Sequence, residues 1–149
     1  VNLHQKVHHA CLALLGQKIS LLENTLRELT EGAQNDTKSS AGDKHETARA
    51  MMQLEQEKIG RQLQDTLQQK GLLEKTGAEI SSDRIVSGSL VKTDRGYLYV
   101  CIALGKVTVD DLAIMVISPQ SPLGAKLLGL RAGETANINN TLYKIEHVG

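Results

Sequence analysis

The apolar residues of the first half of the chain recur at Leu12, Leu15, Ile19, Leu22, Leu26, Leu29 and Ala33, in alternating steps of three and four. That spacing keeps one stripe on one side of a helix, the seam of a coiled coil. Residues 32 to 42, GAQNDTKSSAG, are small and polar with Gly at both ends, so helix one is expected to stop there in a turn. A second helical pattern begins near Asp43 and continues to about Lys75. Met52, Ile59, Leu63 and Leu73 lie on its seam, diluted by Gln56, Thr66 and Lys70. Two helices of similar length joined by a short polar connection bury each other's stripe most simply as an antiparallel hairpin. The expected hairpin spans 1–76 with its tip at about 33–46; pairing between chains through helix one is the alternative.

After Gly77 the period changes. Short runs rich in β-formers cover Ile85 to Lys92, Tyr97 to Leu104, Leu112 to Ser118, Thr135 to Ile138 and Leu142 to His147. Turn signals separate them at Asp94-Arg95-Gly96, Gly105-Lys106 and Asn139-Asn140. Tyr97, Tyr99 and Cys101 alternate with Leu98, Val100 and Ile102 as in a half-buried strand. Between the third and fourth runs, Ser121 suits a helix N-cap, Pro122 the first helical position and Gly129 the end. The second half, 77–149, is therefore expected to be a small, mostly antiparallel β domain with one short helix, and the fold class is α+β.

Composition narrows the function. Aromatic residues make up 2% of the 149, so stability rests on aliphatic side chains. Seventeen basic and seventeen acidic residues cancel, and no overall field draws the chain to nucleic acid or anionic lipid. The two cysteines, Cys11 and Cys101, share no metal-ligand spacing and read as small buried hydrophobes in a reducing compartment. No apolar run reaches the roughly 18 residues that span a bilayer. The opening VNLHQKVHHACLALLG lacks a small-residue cleavage site and runs into a periodic helix, so a cytoplasmic location without membrane attachment is expected.

Several residues carry possible chemistry, each with a local explanation beside it. Asp43 and Glu46 stand three apart at the start of the second helix, where they form a capping-box-like pair. At the tip of a thin hairpin the same two carboxylates would also be free to act on something else. His4 and His8, at i and i+4 with His9 adjacent, have the spacing of a helical metal pair but no further ligand, and read as solvated. Ser39-Ser40 fit a turn, and Gly124, Gly129 and Gly133 follow no βαβ pattern and make no dinucleotide loop. Tyr97 and Tyr99 read as core or sheet-surface residues.

The arrangement resembles the bacterial Gre transcript-cleavage factors. The stretch Ile117 to Val148, ISPQSPLGAKLLGLRAGETANINNTLYKIEHV, is similar to their C-terminal domain almost throughout. At the tip, GDKHETA from Gly42 to Ala48 is similar to the family's Gly-Asp-x-x-Glu-Asn-Ala, with both carboxylates in register. Thr47 replaces the Asn, and Arg49 and Ala50 replace the Glu-Tyr that follows, which turns a strongly negative tip into a mixed one.

The resemblance implies a β domain like the FK506-binding-protein module of Gre factors, without prolyl isomerase activity. It implies an RNA polymerase partner and a hairpin inserted through the polymerase's secondary channel. Asp43 and Glu46 would there help hold a second Mg2+ and its attacking water while a backtracked RNA 3′ end is hydrolysed. Such a chain is not an enzyme itself, has no cofactor of its own and no small-molecule substrate, and acts as a monomer. A hard cation takes carboxylate oxygens and keeps several waters, so acids on a rigid arm can complete a partly built site. Lys38, Lys44 and Arg49 would contact RNA phosphates, and Ser121 and Pro122 would dock on the polymerase. A channel-binding regulator without cleavage activity, and a coiled-coil adaptor with a β-domain peptide site, remain the alternatives.

Overall fold

The computed structural model describes residues 2–39, 43–77 and 82–149, and among these every side chain except those of 33–39 and 43–45. Two long helices open the chain: α1 (Leu3–Ser39) and α2 (Asp43–Thr76). At about 1.5 Å per residue, their 37 and 34 residues run roughly 55 and 50 Å. Clustering of the chain gives two compact units, one made of Leu14–Lys70 and the other of Val1–Ala13 with Gly71–Gly149.

Within Leu14–Lys70 the two helices pair antiparallel, as expected. A methyl built on Gly32 would stand 3.1 Å from Met52 Cε, and Gln56 Nε2 lies 3.5 Å from Thr30 Oγ1, so α2 ascends as α1 descends. Leu15, Ile19 and Leu22 are buried along one helix and Ile59 and Thr66 along the other. Thr66 is 1% exposed because its hydroxyl donates to the Gln62 carbonyl at 2.7 Å, which satisfies it inside an apolar seam. α1 ends at Ser39, inside the 32–42 stretch expected to hold its stop but late in it. Helix continues through Gly32 to Ser39, and Gly32 gives up about 1 kcal/mol of helix propensity to admit Met52 against the backbone.

In the other unit six strands form one sheet: β1 (Ser89–Thr93), β2 (Gly96–Val100), β3 (Gly105–Val109), β4 (Leu112–Ile117), β5 (Thr135–Ile138) and β6 (Thr141–Val148). Their order is β3-β4-β2-β1-β6-β5. Four pairings are antiparallel, but β2 and β4 run parallel, Tyr97 opposite Ile114 through Val100 opposite Ile117. The sheet is thus mixed. The expected turn at Gly105-Lys106 opens β3, which folds back on β4 through Asp110 and Asp111, at φ 52° and 64°. Asn139 and Asn140, at φ 49° and 66°, make the matching corner between β5 and β6.

Register sorts the side chains of β1, β2 and β4 onto two faces. Val91, Leu98 and Val100 join Ile85, Ala136 and Ile145 around Leu127 of the short helix α3 (Pro122–Leu127). Leu90, Tyr99, Ile114 and Val116 point the other way and are equally buried. Tyr99 on that face bonds His8 of the first α1 turns. The central strand expected to be half-buried is therefore covered on both sides.

Candidate functional site

Gly-Asp-x-x-Glu falls where α2 begins. Asp43 is the first residue of that helix; its side chain, and those of Lys38 and Lys44, lie outside the described residues. Glu46 and Arg49 are exposed, and their spacing of three puts carboxylate and guanidinium one turn apart on one side of α2. Arg49 also lines an open cleft of about 310 Å³ with Met52, Gln53 and Gln56. One cation, two amides and a thioether face that space; from sequence Gln56 reads only as dilution of the seam, and Gln53 carries no signal of its own. Among the described residues no group of three or more His, Cys, Asp and Glu is arranged to hold a metal ion.

Ser121 and Pro122 belong to the sheet-containing unit. Ser121 caps α3: its hydroxyl accepts from the Gly124 N–H at 3.1 Å and donates to the Ser118 carbonyl at 2.7 Å. Pro122 follows at the first helical position, exposed, as the spacing predicts. Gly124 is required by packing, since a Cβ there would overlap the Ser118 carbonyl oxygen. Ser118, Pro119 and Gln120 form one wall of a cleft of about 140 Å³ whose other side includes Leu72, Thr76 and Cys101. Leu72 is 53% exposed. This small cleft beside the capped helix has no local signature, because its walls come from α2, Ser87 before β1, Cys101 just past β2 and the loop after β4.

The histidines expected to be solvated are not. His4 and His8 are 8% and 4% exposed, and only His9 faces solvent. His4 donates from Nε2 to the Gly88 carbonyl at 2.7 Å, and His8 Nδ1 shares a hydrogen bond with Tyr99 Oη at 2.9 Å. Both occupy the stripe that continues through Val7, Cys11 and Leu15, so the seam runs several residues further toward the start than its leucines announce. Burial, and secondarily the positive charge of His9 and His4, lower the His8 pKa below 6.5. Burial also pushes the Cys11 thiol up to about 12 and raises Tyr99 and Cys101. Both thiols therefore stay protonated, in keeping with their expected role as small hydrophobes.

No protein-family model and no curated protein matches the chain. Among solved structures it is similar to one over 93% of its own length and 94% of the other chain's, at 20% identity and a TM-score of 0.38. That structure is the crystal structure of the GreA factor homolog 1 (Gfh1) protein of Thermus thermophilus. Among the described residues no helix is long and apolar enough to cross a membrane.

Proposed function

We propose that this chain is a transcription elongation factor of the Gre type, which binds RNA polymerase and brings the start of α2 to the polymerase active centre. One observation carries the reading. A Gly-Asp-x-x-Glu sequence opens the second arm of a long antiparallel hairpin, in a chain whose Ile117–Val148 segment folds as a Ser-Pro-capped helix followed by a two-stranded corner. Acids suit a helix start on local grounds as well, and Glu46 is left exposed there.

In this reading Asp43 and Glu46 donate carboxylate oxygens, directly or through water, to a Mg2+ held mainly by the polymerase. The ion supplies charge neutralisation and an activated water for hydrolysis of a backtracked RNA 3′ end. Arg49, with Lys38 and Lys44, meets RNA phosphates. Ser121 and Pro122 dock on the polymerase, and the hydrogen bonds of Ser121 fix the shape of the docking loop. The chain contributes geometry and charge to the polymerase's own chemistry and works in the cytoplasm as a monomer.

Asp43→Asn and Glu46→Gln keep side-chain size and remove charge. Each is expected to leave polymerase binding intact and to slow cleavage of a stalled, backtracked complex at least about tenfold, the effect of some 1.4 kcal/mol at the transition state. Equal cleavage by both variants and the parent would reduce the pair to a helix cap. A second reading is favoured by Arg49, a cation exposed one turn from Glu46: the chain occupies the channel and regulates the polymerase without cleavage. Polymerase binding with no cleavage by the parent selects it, and absence of polymerase binding defeats both.

A further inference from the structure

The first turns of α1 are fastened to the sheet through histidines. His8 sits on Tyr99 of β2 at 2.9 Å, and His4 on the Gly88 carbonyl just before β1 at 2.7 Å. The rings of His4 and His8 both meet Tyr99 edge-on, with centroids 5.7 and 6.5 Å from its own. Val7 and Cys11 of α1, Leu73 of α2 and Ile114 of β4, all in the same compact unit, are each fully buried. Aliphatic residues at the two histidine positions would pack the same seam without a titrating group.

Among the described residues, the groups around His8 offer a positive charge no counter-ion. On its own helix, His4 and His9 oppose it with like charge. Tyr99 of β2 and Cys101 just past its end are both kept protonated by burial. On α2, Leu73 is apolar and buried and the hydroxyl of Thr76 is engaged with Cys101; Glu74 and Lys75 beside them are exposed. At the β3–β4 corner Asp110 is held by Lys6 at 2.8 Å, and Asp111 is exposed. A buried imidazolium without a counter-ion is strongly disfavoured, whereas in water it is not.

We propose that the contact between the first turns of α1 and the face of β2 is an acid-sensitive joint, closed at neutral pH by an uncharged His8–Tyr99 pair and opened when His8 takes up a proton. The sign follows from linkage. The folded group binds its proton less readily than the free one, so the stabilisation is complete above pH 6.5 and is lost as pH falls below it. The joint stands on its own geometry and does not depend on the polymerase reading.

Hydrogen exchange on the intact chain at about pH 7.5 and about pH 5, corrected for the intrinsic exchange rate, tests it. Amides of residues 7–11 and 97–100 are expected to lose protection relative to those of β5 and β6. The loss is at most about tenfold per pH unit for one titrating group. His8→Gln keeps a hydrogen-bonding group beside Tyr99 without a charge, and its relative protection should not vary over the same range. Should the Gln variant fail to fold, an NMR titration of the His8 ring in the parent decides, because its midpoint must coincide with the loss of protection. Unchanged relative protection of the parent down to pH 5, an equal loss in His8→Gln, or a His8 midpoint away from the transition overturns the proposal.

Discussion

Replacing Gly124 by Ala sets two effects of opposite sign against each other. In an ordinary helix the change would stabilise by about 1 kcal/mol, since Ala loses less backbone entropy. Here the new Cβ would overlap the Ser118 carbonyl oxygen and lie 3.0 Å from both Pro119 Cα and the Ser118 carbonyl carbon. All three are backbone atoms, so no rotamer change relieves the contact. Either α3 lifts from the loop, or the loop shifts and strains the Ser121 cap. Overpacking of this kind costs about 1–3 kcal/mol. Weakening the bonds from Ser121 to the Gly124 N–H and the Ser118 carbonyl adds about 1 kcal/mol. Repulsion wins, for a net loss of about 1–3 kcal/mol. With a urea slope of about 1–3 kcal/mol/M, a 2 kcal/mol loss lowers the unfolding midpoint by roughly 1 M. Native-state exchange should locate the added opening in 118–128. A midpoint equal to or above that of the parent would mean that helix propensity prevails and that the close approach is not a constraint.

The buried thiols should be inert in the native protein. With Cys11 pushed up to about 12 and Cys101 raised as well, an aromatic disulfide reagent at about pH 8 should label them at the rate of unfolding; labelling as fast as a free thiol would contradict their burial. The neighbours Leu72 and Leu73 should separate cleanly. Leu73→Ala empties a fully buried position and should cost about 2–5 kcal/mol, while Leu72→Ala at 53% exposure should stay within about 0.5 kcal/mol by denaturant unfolding. Similar losses for the two would reverse the assigned face of α2.

The hairpin was legible because its seam is written in leucines and isoleucines. Its two ends were less so, for different reasons. Near Gly32 the chain carries turn-forming residues, yet those same small groups allow two helices to approach closely, and composition does not distinguish the two uses. At the other end the seam positions are His4, His8 and Cys11, whose burial depends on Gly88 and Tyr99, far away in sequence. β3 was lost because only Val107 and Val109 mark it and because Gly105, at φ +88°, is truly a corner; the strand starts there. The parallel pairing of β2 with β4 has no local signature. At the candidate site, Ser121 and Pro122 were read correctly as cap and first turn because capping is local chemistry. The cleft beside them joins four separate segments and could not be read from any one.

A sheet covered on both faces has consequences for how the chain acquires its structure. The residues that meet Tyr99 from α1 are made first and their partners much later, His4 and Gly88 standing 84 positions apart and His8 and Tyr99 91. Helix pairing near Gly32 and Met52 closes a short loop and can form early, whereas the strand-to-helix contacts have a high contact order and come late. During synthesis the stripe of Val7, His8 and Cys11 remains uncovered until β2 has emerged, an interval in which it is open to wrong partners. A fragment cut at residue 77 to isolate the strands would carry that apolar face permanently into water and should aggregate. Expressed together, the two pieces would instead have a complementary surface on which to reassociate.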